Sequence, residues 1–181
     1  MAFLGFGRKK SAVTPPPAAS ELIDAQINVA ADELEKKLGK SPLIILGAIS
    51  LVEREILDEQ YTGKRSVSDQ RLVWGGILKA FHDRRIAVIR DGSTGVLPPE
   101  ELEAIRRFIS RRFVDLREKV KNTGPQGSST LLHEIGLVDQ AMGDCLTEDR
   151  EVAPERRGLY VREICRLGYE AKTKVLNHQT P

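Results

Sequence analysis

The chain has 181 residues, of which 40% are hydrophobic, 30% charged and 5% aromatic, and its formal net charge is +2. This length and composition are typical of one soluble domain, with or without an extension, and the small net charge argues against strong attraction to nucleic acid or to an anionic membrane. The two cysteines, Cys145 and Cys165, form neither a disulfide framework nor a short-spaced zinc motif, so a cytoplasmic location is expected.

Residues 1–19 are predicted to form a flexible arm in front of a single helical domain at residues 20–181. The arm begins with an apolar tip and a basic cluster, and a proline-rich spacer follows between Thr14 and Ala19. An exposed apolar tip beside cations is typical of a contact surface. Docking to protein, contact with lipid headgroups and a tail without a partner all remain open. The predicted partner-binding residues of the arm are Phe3, Leu4, Phe6, Arg8, Lys9 and Lys10.

The first two helices are predicted at residues 20–38 and 41–61. The first carries an amphipathic stripe that ends at Leu38, and Gly39 follows as a natural cap. The second is the most apolar segment of the chain. Its uncharged run of about 11 residues is too short to cross a bilayer, which needs about 20. Glu53, at the end of that run, is expected to return the helix to solvent.

The third helix is predicted at residues 66–83, and the pattern changes after it. Residues 85–90 alternate like a strand, residues 91–95 read as a turn, and Val96 and Leu97 complete a short β-hairpin. Three more helices are predicted near residues 99–122, 130–146 and 154–177. The expected fold is therefore mainly α, a six-helix bundle with one short hairpin between the third and fourth helices.

Arginines dominate the charge of the fourth helix. At 100° per residue, Arg107 and Arg111 share the solvent face of that helix and are predicted to bind a partner. Arg106, Arg112 and Arg117 flank the apolar stripe, which extends to Val120. We expect these flanking arginines to cover the core or to pair with acids of a neighbouring helix. Contact of the arginines with a protein partner or with phosphate remains open.

Motifs that would indicate chemistry are incomplete. Gly39-Lys40-Ser41 resembles the end of a P-loop, but Leu34 stands where the first glycine is needed. His133-Glu134 resembles half of a metalloprotease helix, but Leu137 replaces the second histidine. We therefore predict no catalytic residue, cofactor or metal, although an enzyme with scattered catalytic groups remains open.

The favoured interpretation is a non-catalytic protein–protein interaction module, an adaptor or assembly subunit of a larger complex that uses the N-terminal arm. It predicts a protein partner or self-association. The alternative is a nucleic-acid-binding regulator with a winged-helix-like body, because three predicted helices precede a hairpin. In that interpretation Arg84, Arg85 and Arg90 would lie on the wing.

Overall fold

The computed structural model describes residues 19–39, 43–60, 66–89, 95–123, 131–147 and 152–181. Within these ranges the chain forms six helices and no strand, which confirms the mainly α prediction. The helices are α1 (Ala19–Leu38), α2 (Ile44–Glu59), α3 (Val67–Val88), α4 (Pro99–Thr123), α5 (Leu131–Thr147) and α6 (Pro154–Leu176).

Three of the described helices, α2, α5 and α6, each contact three others, and α5 contacts α2, α4 and α6. The α2 helix contacts α1, α3 and α5, and α6 contacts α3, α4 and α5. One large apolar cluster is built from residues of the five helices α2 to α6, and it includes Trp74, Ile105, Val138 and Ile164. A smaller cluster lies between α1, α2 and α3 around Ile49. The bundle therefore has a main core and a satellite core.

The predicted β-hairpin is wrong in the part of the chain that is described. Its first strand is instead the last turn of α3, which continues to Val88. Ser66 caps the other end of α3, where its hydroxyl accepts a hydrogen bond from the Asp69 N–H at 3.1 Å. Alternating residues in a short segment fit either period, and here helical spacing wins because it carries Arg85 into the interior one turn after Phe81. Of the predicted turn at residues 91–95, residues 91–94 lie outside the described residues, and Gly95 has a φ of +130°.

Val96 and Leu97, the predicted return strand, form an irregular lead into α4. Leu97 is buried in the main core whereas Val96 is 81% exposed. The segment is therefore held by the burial of Leu97 just before α4, instead of by hydrogen bonds to a neighbouring strand.

Some predicted core positions are exposed, and one predicted solvent position is buried. Leu38 and Val120, placed on buried stripes by their spacing, are exposed because each lies in the last turn of its helix. Glu53, expected to face solvent, has 0% of its surface exposed. The apolar stripe of α2 thus does not end at its first charged residue, and the reason lies in the ionic partners of Glu53.

Candidate functional site

Four charged side chains from four different helices meet inside the bundle. They are Glu53 of α2, Arg85 of α3, Asp139 of α5 and Lys172 of α6, called here the buried charge cluster. The exposed fraction is 0% for Glu53, 3% for Arg85 and 2% for Lys172, and Asp139 is half-buried. Two carboxylates balance two cations, so the cluster is neutral as a whole.

The contacts of the buried charge cluster form a closed ring. The Lys172 ammonium lies 2.6 Å from Glu53 Oε1 and 2.6 Å from Asp139 Oδ1. The Arg85 guanidinium lies 2.5 Å from Glu53 Oε2 and 3.7 Å from Asp139 Oδ1. The three contacts of 2.5–2.6 Å are charge-assisted contacts of the strong kind, whereas Arg85 and Asp139, 3.7 Å apart, interact through charge at a longer distance.

Ser50, which lies one helical turn before Glu53 in α2, adds two hydrogen bonds to the ring. Its hydroxyl accepts a hydrogen bond from Arg85 Nη2 at 3.0 Å and donates one to Asp139 Oδ1 at 3.2 Å. A buried polar network is costly when a member lacks a partner and specific when all members are satisfied. Ser50 thus bridges Arg85 and Asp139 by hydrogen bonds, whereas the guanidinium and the carboxylate are 3.7 Å apart and too distant to form one directly.

Burial and charge shift the titration of two groups here. Burial disfavours the charged form of Arg85, but the carboxylates of Glu53 and Asp139 outweigh it and raise the pKa of the guanidinium. Burial raises the pKa of the Cys165 thiol to about 11, although the nearby cations of Arg85 and Lys172 act against it. Arg85 therefore stays charged, and Cys165 stays a neutral thiol at neutral pH.

The buried charge cluster is suited to bracing the fold rather than to reacting with a substrate. Its cations are paired on both sides and have almost no surface open to solvent. A buried ionic network holds a specific arrangement of helices, since any slip of one helix separates charges in a medium of low polarity. The cluster joins α2, α3, α5 and α6, because each of its charged groups is paired with a group on another of these helices.

Beside the cluster, His82 of α3 stacks on Tyr169 of α6. The ring centroids are 4.5 Å apart and the planes meet at 13°. His82 is half-buried, and its Nδ1 has no hydrogen-bond partner within the described ranges. Burial, the largest effect, lowers the pKa of His82, so the ring is predominantly neutral at neutral pH.

The predicted partner-binding arginines of α4 lie on its outer surface. Arg107 is exposed, its Nε donates to the Glu103 carbonyl at 3.4 Å, and the same atom lies 3.8 Å from the Glu103 carboxylate. Arg111 is exposed and has no ion pair with any residue that the structure describes. Val114, also exposed, follows at the spacing that continues the same side of a helix. Arg107, Arg111 and Val114 are called here the α4 outer face.

The flanking arginines of α4 pair with acids of neighbouring helices, as their position beside the apolar stripe predicts. Arg112 Nε lies 2.5 Å from the Asp144 carboxylate on α5, and Arg117 lies 2.8 Å from Glu134 on the same helix. Arg106 lies 3.6 Å from Glu170 on α6. The buried side chains of Ile105, Ile109 and Phe113 set the rotation of α4, and with these ion pairs on its flanks the α4 outer face points toward solvent.

The arm residues Phe3, Leu4, Phe6, Arg8, Lys9 and Lys10 lie outside the described residues. Two other sequence features can be located. Cys145 and Cys165 form no disulfide and are buried, as expected for core thiols. His133, expected to be solvated, is half-buried.

Within the ranges that the structure describes, a small hollow lies between α4 and α6 beside Arg106 and Lys174, with room for about one water molecule. No three histidine, cysteine or acidic side chains in these ranges are grouped as metal ligands would be. Nor is any helix in the described parts of the chain long and apolar enough to cross a membrane.

Comparison of the chain with known protein families, with curated proteins and with solved structures finds no match. The functional interpretation therefore depends on the geometry above.

Proposed function

We propose that this chain is a non-catalytic protein-interaction module, an adaptor or assembly subunit, that binds its partner through the α4 outer face and the N-terminal arm. The α4 outer face carries the proposal. It offers two guanidinium groups beside a valine, and Arg111 keeps its charge for an external acceptor. Arginine beside a small apolar contact is typical of protein interfaces.

Rigidity of α4 supports the proposal. The buried side chains of Ile105, Ile109 and Phe113 hold the helix in the main core, and three partly exposed ion pairs connect its flanks to α5 and α6. A surface that is already ordered loses little conformational entropy when a partner binds. The complementary surface would carry carboxylates that face Arg107 and Arg111, with an apolar contact for Val114 between or beside them.

The interior supports the proposal in a second way. The reactive side chains most concentrated in this fold, Glu53, Arg85 and Lys172, are consumed by mutual pairing. Among the described residues, the α4 outer face offers a partner the exposed guanidinium groups of Arg107 and Arg111 and the side chain of Val114. Cys145 and Cys165 are not joined in a disulfide, which is compatible with a reducing compartment and supports a cytoplasmic location as part of the proposal.

Within the described residues no strand forms, so the winged-helix alternative has less support than the interaction module. Arg85 lies in the core instead of on a wing, and Arg84 lies 2.8 Å from the Asp24 carboxylate. Nucleic-acid binding by other means remains an outcome of the test, because its salt dependence differs from that of a protein complex.

The test is isolation of the tagged full chain from its own cells, with nuclease treatment, at low and at moderate salt. We expect a protein to co-purify in both conditions and after nuclease treatment. Replacing Phe3 and Phe6 with serine should weaken that complex more than replacing Arg8, Lys9 and Lys10 with glutamine. Association that disappears with nuclease treatment would overturn the proposal in favour of nucleic acid, whereas weakening at moderate salt is also expected of contacts between arginines and carboxylates.

A further inference from the structure

The α4 outer face is the middle of a longer line of exposed positions along α4. The line advances by alternate steps of four and three residues, which keeps it on one side of the helix. Every position on it is exposed, and the line is called here the α4 seam: Glu100, Ala104, Arg107, Arg111, Val114, Glu118 and Lys121. A helix surface with this spacing is able to pair lengthwise with a second helix of the same spacing.

The charges of the α4 seam change sign in blocks along the helix. The seam begins with the acidic Glu100, continues with the cations Arg107 and Arg111, returns to acid at Glu118 and ends on the cation of Lys121. An acidic first turn and a basic last turn also match the helix dipole, so the first turn of one such helix attracts the last turn of an antiparallel one. The order of charges therefore favours an antiparallel partner whose blocks run in the reverse order.

A second α4 is such a partner in one register. In that register Arg107 of each copy faces Glu118 of the other, and by symmetry this pair occurs twice. Arg111 faces Val114 of the other copy, beside the exposed carboxylate of Asp115. The twofold axis passes between positions 112 and 113, so each Val114 is about 2 Å from it along the helix, at 1.5 Å per residue. The two valines thus provide an apolar contact at the centre.

The neighbouring arrangements place like charges together. A shift of one seven-residue repeat in one direction puts Arg107 opposite Arg111 and Glu100 opposite Glu118. The same shift in the other direction puts Arg111 opposite Lys121. A parallel pair puts every charge opposite its own copy. Because like charges in contact oppose association, the α4 seam is complementary to itself in one antiparallel register alone among these.

The ion pairs within one copy leave the charges of the α4 seam available. Glu118 Oε1 lies 2.9 Å from Lys121 Nζ, but more than half of each side chain is exposed. Arg107 Nε lies 3.8 Å from the Glu103 carboxylate, and the Arg107 side chain is 73% exposed. Exposed pairs of this kind contribute little, so exchanging them for contacts with a second copy has a small cost.

We propose that the partner of the α4 outer face is a second copy of this chain, in a symmetric dimer whose two α4 helices pair antiparallel along the α4 seam. The inference rests on the proposed function, because it identifies the partner of the same face. The paired surfaces are largely charged and carry few apolar groups, so the dimer is reversible and weakens as salt is added. The core of each copy takes no part, so association occurs between folded chains.

The test uses two charge-reversal variants of the full chain, Arg107→Glu and Glu118→Arg. Each variant alone has like charges in both symmetric pairs, so we expect its self-association to weaken by about tenfold. In an equal mixture, each variant supplies at both pairs the charge that the other requires. A dimer with one copy of each should therefore form with nearly the affinity of the wild type. Sedimentation velocity at low salt, over concentrations up to about 1 mM, measures each case.

Arg157→Glu is the matched control, because it reverses an exposed arginine of α6 and should leave self-association unchanged. Thermal unfolding of each variant checks that it is folded. Three results would each overturn the dimer: a wild type that stays monomeric, single variants that associate as well as the wild type, or a mixture that associates no better than its components.

Failure of the dimer and failure of the proposed function have different signatures. A monomeric wild type from which Arg107→Glu and Arg111→Glu remove a different co-purified protein would mean that the α4 outer face binds that protein instead of a second copy. A monomeric wild type whose co-purified protein is unaffected by both substitutions would overturn the dimer and the assignment of the face together.

Discussion

The Lys172 ammonium and the Glu53 carboxylate lie 2.6 Å apart in the interior, although 119 positions separate them in the chain. Arg85 binds the other oxygen of the same carboxylate. Glu53 is therefore held from α6 and from α3 at once, which fixes the register of α2 between them. The half-buried Asp139 extends this brace to α5.

The first prediction concerns loss of one cation from the buried charge cluster. Lys172→Met should lower the free energy of unfolding by about 3–5 kcal/mol, because two carboxylates lose a partner in the interior. Chemical denaturation followed by circular dichroism measures the change. Lys79→Met is the matched control, since Lys79 forms an exposed pair with Asp83 and should leave the unfolding midpoint almost unchanged.

A double variant shows whether pairing is responsible. Adding Glu53→Gln to Lys172→Met removes the carboxylate that the lysine had balanced, so it should recover part of the lost stability. Additive losses from the two substitutions would show that the two side chains act independently, contrary to the contact between them.

The second prediction concerns the approach of α5 and α6. A Cβ on Gly168 would overlap the side chain of Met142, which is itself buried. Gly168→Ala should therefore destabilise the fold by about 1–3 kcal/mol through overpacking. Gly143→Ala, with open space around the new methyl group, should be neutral or stabilise by up to about 1 kcal/mol. Equal effects of the two alanines on thermal unfolding would refute the close contact.

The third prediction concerns pH. Native His82 has a pKa below its ordinary value of 6.5, chiefly because it is partly buried. The unfolded chain thus binds more protons than the native chain as the pH falls below about 6.5, and stability decreases in that direction. His82→Phe keeps a ring for stacking on Tyr169 but cannot titrate. Its stability should vary less than that of the wild type between pH 7 and pH 5.5, and identical slopes would contradict the assignment.

The fourth prediction concerns the cysteines. Because both thiols are buried and the pKa of Cys165 is about 11, an aromatic disulfide reagent at pH 7 should react slowly with the native protein. In denaturant both thiols should react at once. Rapid modification of the native protein would mean that α6 opens around Cys165 much more readily than the buried charge cluster allows.

Helical periodicity made most of the fold predictable. In α4, for example, the positions of Ile105, Ile109 and Phe113 follow from the sequence and are buried in the structure. The outward position of Arg107 and Arg111 follows from the same spacing, and both are exposed. Local pattern suffices for these residues, because each is placed by its own helix.

The buried charge cluster was not predictable in the same way. A glutamate after an apolar run normally marks the return to water, and the partners of Glu53 lie on other helices at long sequence separation. The lack of long-range information also produced the incorrect β-hairpin. The residues next to Arg85 in the sequence do not show that its guanidinium pairs in the core with Glu53 and Asp139, which lie on other helices. A charged residue at a position where the helical stripe requires an apolar one is the signal that could have found both.

The interaction proposal depends most on the α4 outer face, and charge reversal there is the most direct measurement. The tagged full chain with Arg107→Glu and Arg111→Glu is compared with wild type and with Arg157→Glu, which reverses an exposed arginine of α6. We predict about a tenfold loss of co-purified protein for the α4 variant only, with an unchanged unfolding midpoint. Recovery equal to that of wild type from the correctly folded α4 variant would contradict the assignment of this face as the binding surface.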